Sequence, residues 1–252
     1  MDPRLAPYRA VLFDLDGVLT DTAGVHSRCW KRMFDDYLRE RAARLGENFV
    51  EFDITEDYLR YVDGKPRYDG VRSFLASRHI DLPDGDPSDP PGTDTICALG
   101  NRKNALLTEV LAREGVETYP GSLRLLDELA AAGVHMAVVS SSKNTPGVLA
   151  AAGISDRFEA VVDGSVAARQ GLRGKPAPDT FLYAAERLGV PREEAVVVED
   201  ALSGVAAGRN GEFGMVVGVA RDGNDEALKA AGADLVVTGL GELAGEKTSR
   251  CE

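Results

Sequence analysis

Apolar residues follow two rhythms along this chain. Short runs rich in Val, Ala, Leu and Met at 10–12, 134–140, 158–162, 195–199, 215–219 and 234–237 are mostly apolar on both faces, as strands covered on both sides are. Between them, residues 122–132, 145–152, 178–188 and 203–210 show helical spacing. This alternation predicts a parallel sheet with helices on both faces. Directly after the first strand the texture differs. Val25, Cys29, Trp30, Met33, Phe34, Tyr37 and Leu38 recur at helical spacing up to about Leu45. The Asp-, Tyr- and Arg-rich residues 49–80 read as mainly helical, and 101–114 as a further helix. Residues 82–100, LPDGDPSDPPGTDTICALG, are dense in Pro, Gly and Asp and read as a loop. The pattern therefore predicts an α/β core domain formed by residues 1–21 and 117–252, interrupted by a helical domain at 22–116, with linkers near Asp21 and 117–120. The tail beyond Leu243 is expected to fray.

Composition narrows the setting. A chain of 252 residues, 44% hydrophobic, is long enough for one large core and a smaller second one. Its net charge of −12 offers no electrostatic footprint for nucleic acid or an anionic membrane. The three cysteines, Cys29, Cys97 and Cys251, are odd in number and widely spaced, with neither metal nor disulfide spacing. The opening MDPRLAPYRA carries no apolar signal core, and no apolar run approaches a membrane span. No internal repeat is visible. The expectation is a cytoplasmic monomer whose partner is a small molecule, neither nucleic acid nor membrane.

Candidate chemistry gathers where such sheets bind ligands, outside the carboxyl ends of the strands. The first strand ends in Asp14 and Asp16, the second in Ser140, Ser141, Ser142 and Lys143, and the fourth in Glu199 and Asp200. A separate loop carries Gly174, Lys175 and Pro176. Each feature alone has an ordinary explanation: a turn-forming aspartate, a capping serine, a solvated lysine. Together, at one edge of one sheet, they describe a site. Asp14 and Asp16 stand two residues apart, hence on one side of an extended chain, where they repel and lose solvation. Four carboxylates with no His or Cys suit Mg²⁺. Lys143 and Lys175, with Ser140 and backbone N–H groups, would receive phosphoryl oxygens. Asp14 suits a nucleophile, and Asp16 a general acid and base.

FDLDGV, SSSKN, GKPAPD and EDALSG, in this order, resemble the four motifs of the haloacid dehalogenase superfamily of phosphotransferases across nearly the whole chain. TDTAGVHSRCW, GKPRYDG and NRKN are further similar to its β-phosphoglucomutase-like subfamily. The resemblance implies a Rossmann-like parallel-sheet core with a small inserted helical cap, and phosphoryl transfer through an aspartyl-phosphate. It makes Asp14 the nucleophile and Asp16 the general acid/base. Mg²⁺ would be held by Asp14, the Asp16 carbonyl, and Glu199 or Asp200. Ser140, Ser142, Lys143, Asn144 and Lys175 match phosphate and sugar contacts. Thr22 and His26 match positions coupling cap closure to Asp16. Gly64 belongs to the cap loop whose Arg67 grips a distal phosphate, and Lys103 would lie near the sugar. The chain departs from the subfamily at Lys65 and Gly70, where a small apolar residue and a serine are usual, and through the long stretch 82–100. The implied reaction converts β-glucose 1-phosphate to glucose 6-phosphate through β-glucose 1,6-bisphosphate. The alternative is a phosphatase for a small sugar phosphate. A non-catalytic sugar-phosphate sensor is disfavoured by the intact Asp14, Asp16, Lys175 and Asp200 set.

Overall fold

Strand β1 (Ala10–Phe13) is buried along its whole length and pairs in parallel with a neighbour on each side. Its neighbours are β2 (His135–Val139) and β4 (Ala195–Glu199). Beyond them lie β3 (Ala160–Val162), β5 (Met215–Val219) and β6 (Leu235–Val237), giving one parallel sheet in the order β3-β2-β1-β4-β5-β6. That order reverses direction between β1 and β4, which opens a crevice at their carboxyl ends. The strands carry mainly Val, Ala, Leu and Met, which fits a sheet covered on both faces. The computed structural model describes residues 1–221 and 223–245; the tail 246–252, expected to fray, lies outside the described residues.

The chain divides into two compact units, Met1–Asp21 with Glu117–Glu252, and Thr22–Val116. In the sheet unit, helices α4 (Pro120–Ala131), α5 (Thr145–Ala151), α7 (Asp179–Leu188) and α8 (Leu202–Asn210) follow the helical spacing closely. Two short helices were not expected. Helix α6 (Gly164–Gln170) is capped by Asp163, whose carboxylate accepts from the Ser165 and Val166 amides. Helix α9 (Asp225–Ala231) has Asp225 and Glu226 in its first turn, Lys229 in its last, and left-handed Gly232 beyond.

The other unit holds α1 (Ala23–Leu45), α2 (Arg67–Ser77) and α3 (Ile96–Glu114). Its core is an aromatic stack: Phe34 lies 5.4 Å from Trp30, 5.1 Å from Phe52 and 4.2 Å from Phe74, centroid to centroid. Two expectations fail here. Residues 49–80 are helical only at 56–62, mostly a short π-turn (Tyr58–Val62), and in α2. Phe52 is buried without a helix because its amide donates to Asp35 Oδ1 (2.7 Å) and its carbonyl accepts from Lys31 Nζ (2.8 Å). The loop 82–100 ends earlier than expected, since α3 begins at Ile96. Thr95 caps it by accepting from the Ala98 amide (3.0 Å), so the turn-forming composition stops at Thr95.

Candidate active site

The chain leaves the sheet at Phe13, so Asp14 stands at the carboxyl end of β1, its amide donating to the Val198 carbonyl of β4 (2.9 Å). Extended geometry does not continue to Asp16, contrary to the alternation argument. Residues 15–20 form a turn with Gly17 at φ 81°, closed by the Gly17 amide on the Thr20 carbonyl (2.8 Å). Asp16 is half-buried on that turn, and its charge helps to raise the pKa of Asp14.

Lys175 supplies the counter-charge for the buried carboxylates. Its ammonium donates to Asp14 Oδ1 (2.6 Å), to the Val139 carbonyl at the end of β2 (3.0 Å), and to Glu199 Oε1 at the end of β4. All three side chains are buried: Asp14 is 7% exposed, Lys175 3% and Glu199 not at all. Burial alone would lower the pKa of Lys175, but the charges of Asp14 and Glu199 raise it, so the ammonium stays protonated. Burial pushes Asp14 up, partly offset by Lys175, and pushes Glu199 up to about 8. When both carboxylates are ionised, one ammonium faces two buried negative charges, one of which it leaves uncompensated; the raised pKa of Glu199 reflects that cost.

That surplus charge fits a cation. Asp14, Glu199 and Asp200 offer carboxylate oxygens all within 4.8 Å of one another. Oxygen-only donors without thiolate or imidazole suit a hard divalent ion such as Mg²⁺. Glu199 is firmly set: its Oε2 accepts from the Asp200 and Ala201 amides, both at 3.1 Å. Gly204 on α8 makes the room, because a methyl group there would overlap the Glu199 carboxylate.

The serine-rich loop after β2 is ordered by its own hydrogen bonds. Buried Ser140 accepts from the Ser142 amide (3.2 Å), and Ser142 Oγ accepts from the Asn144 amide (3.1 Å). Lys143 is exposed on the same loop, so the two expected lysines differ sharply in environment.

In the helical unit, buried Lys103 of α3 lies 3.1 Å from His26 Nδ1 of α1 and 5.1 Å from the Trp30 ring. Burial first, then the Lys103 charge, hold His26 well below the ordinary imidazole value. Its ring is therefore neutral near pH 7, with Nδ1 as acceptor. Buried Thr22 stands directly before α1, its carbonyl accepting from the His26 amide (3.0 Å). Gly64, at φ 68°, turns the chain into α2, whose first residue is Arg67. Arg67 packs against Gly100, one helical turn from Lys103 on α3. Both departures from the subfamily pattern have local partners: Lys65 Nζ donates to Ser73 Oγ (2.9 Å), and a methyl group at Gly70 would press on Trp30 at 3.3 Å.

The family model for haloacid dehalogenase-like hydrolases matches residues 8–211. The chain belongs to that family. It is 56% identical over 238 residues to a β-phosphoglucomutase of Mycobacterium bovis, covering 93% of this chain and 91% of the relative. It is 30% identical over 236 residues to the β-phosphoglucomutase of Bacillus subtilis, with 93% and 91% covered. Among solved structures, β-phosphoglucomutase from Clostridium difficile superposes with a TM-score of 0.73 at 27% identity, covering 95% of this chain and 94% of that one. The motif resemblance and the α/β fold expected from it are borne out.

Some residues around the family motif escaped the sequence reading. Arg221, just past β5, donates to the carbonyls of Gly17 (2.6 Å) and Val18 (3.3 Å) in the turn that carries Asp16. Its guanidinium stacks on Tyr119, 3.4 Å from the ring centre, and the Tyr119 hydroxyl donates to Asp21 (2.9 Å). Burial first, then Asp21, raise the pKa of that hydroxyl, so it remains a donor. No sequence signal marks Arg221, since its partners are backbone carbonyls. The EDALSG motif did contain Gly204, and only the position of Glu199 explains it.

Proposed function

We propose that this chain catalyses the β-phosphoglucomutase reaction: β-glucose 1-phosphate to glucose 6-phosphate, through β-glucose 1,6-bisphosphate. The observation that carries the reading is the 56% identity to a β-phosphoglucomutase over nearly the full length of both chains. The buried Asp14, Lys175 and Glu199 set supports phosphoryl transfer as the chemistry.

Asp14, Glu199 and Asp200, with the Asp16 main-chain carbonyl, would hold Mg²⁺. Bound there, the ion would supply positive charge to the oxygens of the transferring phosphoryl group. Lys175 orients the Asp14 carboxylate through Oδ1 and brings its own positive charge to the same place. In the first half-reaction, the sugar 6-hydroxyl gives its proton to Asp16. Its oxygen then bonds to the phosphorus carried by Asp14, and the Asp14 oxygen–phosphorus bond breaks. The bisphosphate turns over within the site. Asp14 then attacks the phosphorus at C1, the C1 oxygen leaves with the proton returned by Asp16, and glucose 6-phosphate is released. Ser140, Ser142, Lys143 and Asn144 would receive oxygens of phosphate and sugar. On the cap, Arg67 would grip the phosphate far from Asp14, as a guanidinium binds phosphate bidentately. Lys103 and Gly64 would meet the sugar, and Thr22 and His26 would link cap closure to Asp16. In this reading the protein is a cytoplasmic monomer acting on a small-molecule sugar phosphate.

The test is product analysis. β-Glucose 1-phosphate with a trace of the bisphosphate and Mg²⁺ should yield glucose 6-phosphate with little free phosphate. Glucose and inorganic phosphate as the sole products would replace the mutase with a sugar-phosphate phosphatase.

A further inference from the structure

The stretch 82–95 is braced against one side chain of α3. Asn101 uses its whole amide: Nδ2 donates to the carbonyls of Pro87 (3.0 Å) and Asp89 (2.9 Å), and Oδ1 accepts from the Tyr68 hydroxyl (3.0 Å). Asp89 is fixed in turn, since its carboxylate accepts from Thr95 Oγ1 (2.7 Å) and the Asp86 amide (3.1 Å). The loop therefore closes on Asn101, and Asn101 holds the tip of Tyr68.

Tyr68 is the immediate neighbour of Arg67, whose guanidinium lies 5.6 Å from the Tyr68 ring centre. Both residues lean on α3 at Gly100. A methyl group there would meet Tyr68 Cδ1 at 2.7 Å and Arg67 Cγ at 3.1 Å. Arg67 itself is half-buried and, among the described residues, has no carboxylate partner. A partly desolvated guanidinium without a counter-ion keeps its direction only if something neutral packs against it. Here that support is the Tyr68 ring, pinned at its hydroxyl.

We propose that Asn101 is a positioning residue for Arg67, acting through Tyr68, and that the loop 82–95 is the brace that holds Asn101 in place. The proposal rests on the reading of Arg67 as the anchor of the distal phosphate. Preorganising such an anchor spares the cost of ordering a long side chain when the bisphosphate binds.

Asn101→Ala and Tyr68→Phe break the same hydrogen bond from its two ends. Tyr68→Phe should raise the KM for β-glucose 1,6-bisphosphate about fivefold, the worth of one neutral hydrogen bond, and Asn101→Ala, which also releases the Pro87 and Asp89 carbonyls, at least as much, both with turnover of acetyl phosphate unchanged. In an Arg67→Ala background neither should raise KM further, because the residue they act through is gone. Additive effects in that background would overturn the proposal. So would a parallel loss of acetyl phosphate turnover, which would mean that the bond only stabilises the fold. Tyr68→Phe keeps the ring and serves if Asn101→Ala does not fold. If the wild type makes no glucose 6-phosphate, the mutase reading fails by itself. The positioning is then read by NMR from the Arg67 Nε–H resonance, assigned by its loss in Arg67→Ala. It should move in both single variants, and an unmoved resonance would overturn the proposal.

Discussion

Replacing Lys175 with methionine removes one charge from the buried cluster it forms with Asp14 and Glu199 and keeps most of the side-chain volume. The ammonium now satisfies Asp14, Glu199 and the Val139 carbonyl at once. Without it, two carboxylates that solvent barely reaches face each other uncompensated. Breaking a buried ion pair by deleting one partner costs roughly 3–5 kcal/mol. With a urea slope of about 2–3 kcal/mol per M, the midpoint should fall by roughly 1–2.5 M. The assay is urea unfolding in excess chelator, followed by far-UV circular dichroism, because the sole tryptophan, Trp30, lies in the other unit. The loss should also depend on pH. Burial already raises Glu199 from 4.5 to about 8, and removing the ammonium raises both carboxylates further. A carboxyl raised in this way binds a proton that the unfolded chain has lost, so stability falls as pH rises from the unfolded value through the folded one. The deficit of Lys175→Met should therefore be larger at about pH 8.5 than at about pH 5.5, where the orphaned carboxylates hold protons. An unchanged midpoint, or a deficit that grows on acidification, would refute the account of Lys175 as their counter-charge.

Further outcomes follow from the same site. Asp16→Asn should retain Mg²⁺ binding, since its proposed ligand is the backbone carbonyl, yet turn over at least ~100-fold more slowly; lost metal affinity at nearly normal saturated rate would make the side chain a ligand instead. Chelation should abolish turnover and Mg²⁺ restore it, with Zn²⁺ a poor substitute for hard oxygen donors; full activity in excess chelator would remove the metal. Gly204→Ala should push the Glu199 carboxylate aside at a cost of about 1–3 kcal/mol and weaken Mg²⁺ activation; a melting temperature and Mg²⁺ titration equal to wild type would contradict that packing.

Much of this protein is written locally. Strands β4 and β5 are apolar on both faces, so their length and burial can be read from the runs alone. Thr95 and the charge order of α9 are local signals as well, since caps and helix ends act over three or four residues, but the turn-rich composition of 82–100 masked the first and no helix was expected at the second. Helix α6 lacks an apolar stripe, and Phe52 is buried through hydrogen bonds to Asp35 and Lys31, so neither follows from periodicity. The candidate site residues stand in recognisable motifs, but their interactions cannot be read there. Lys175 is 161 positions from Asp14, and they meet because the sheet order sets β1 between β2 and β4. Burial at that meeting point, a property of the packed sheet and its helices, turns an acidic motif into a charge imbalance with room for a cation. Short-range rules belong to the sequence; desolvation belongs to the fold, because only packing removes water from a charge.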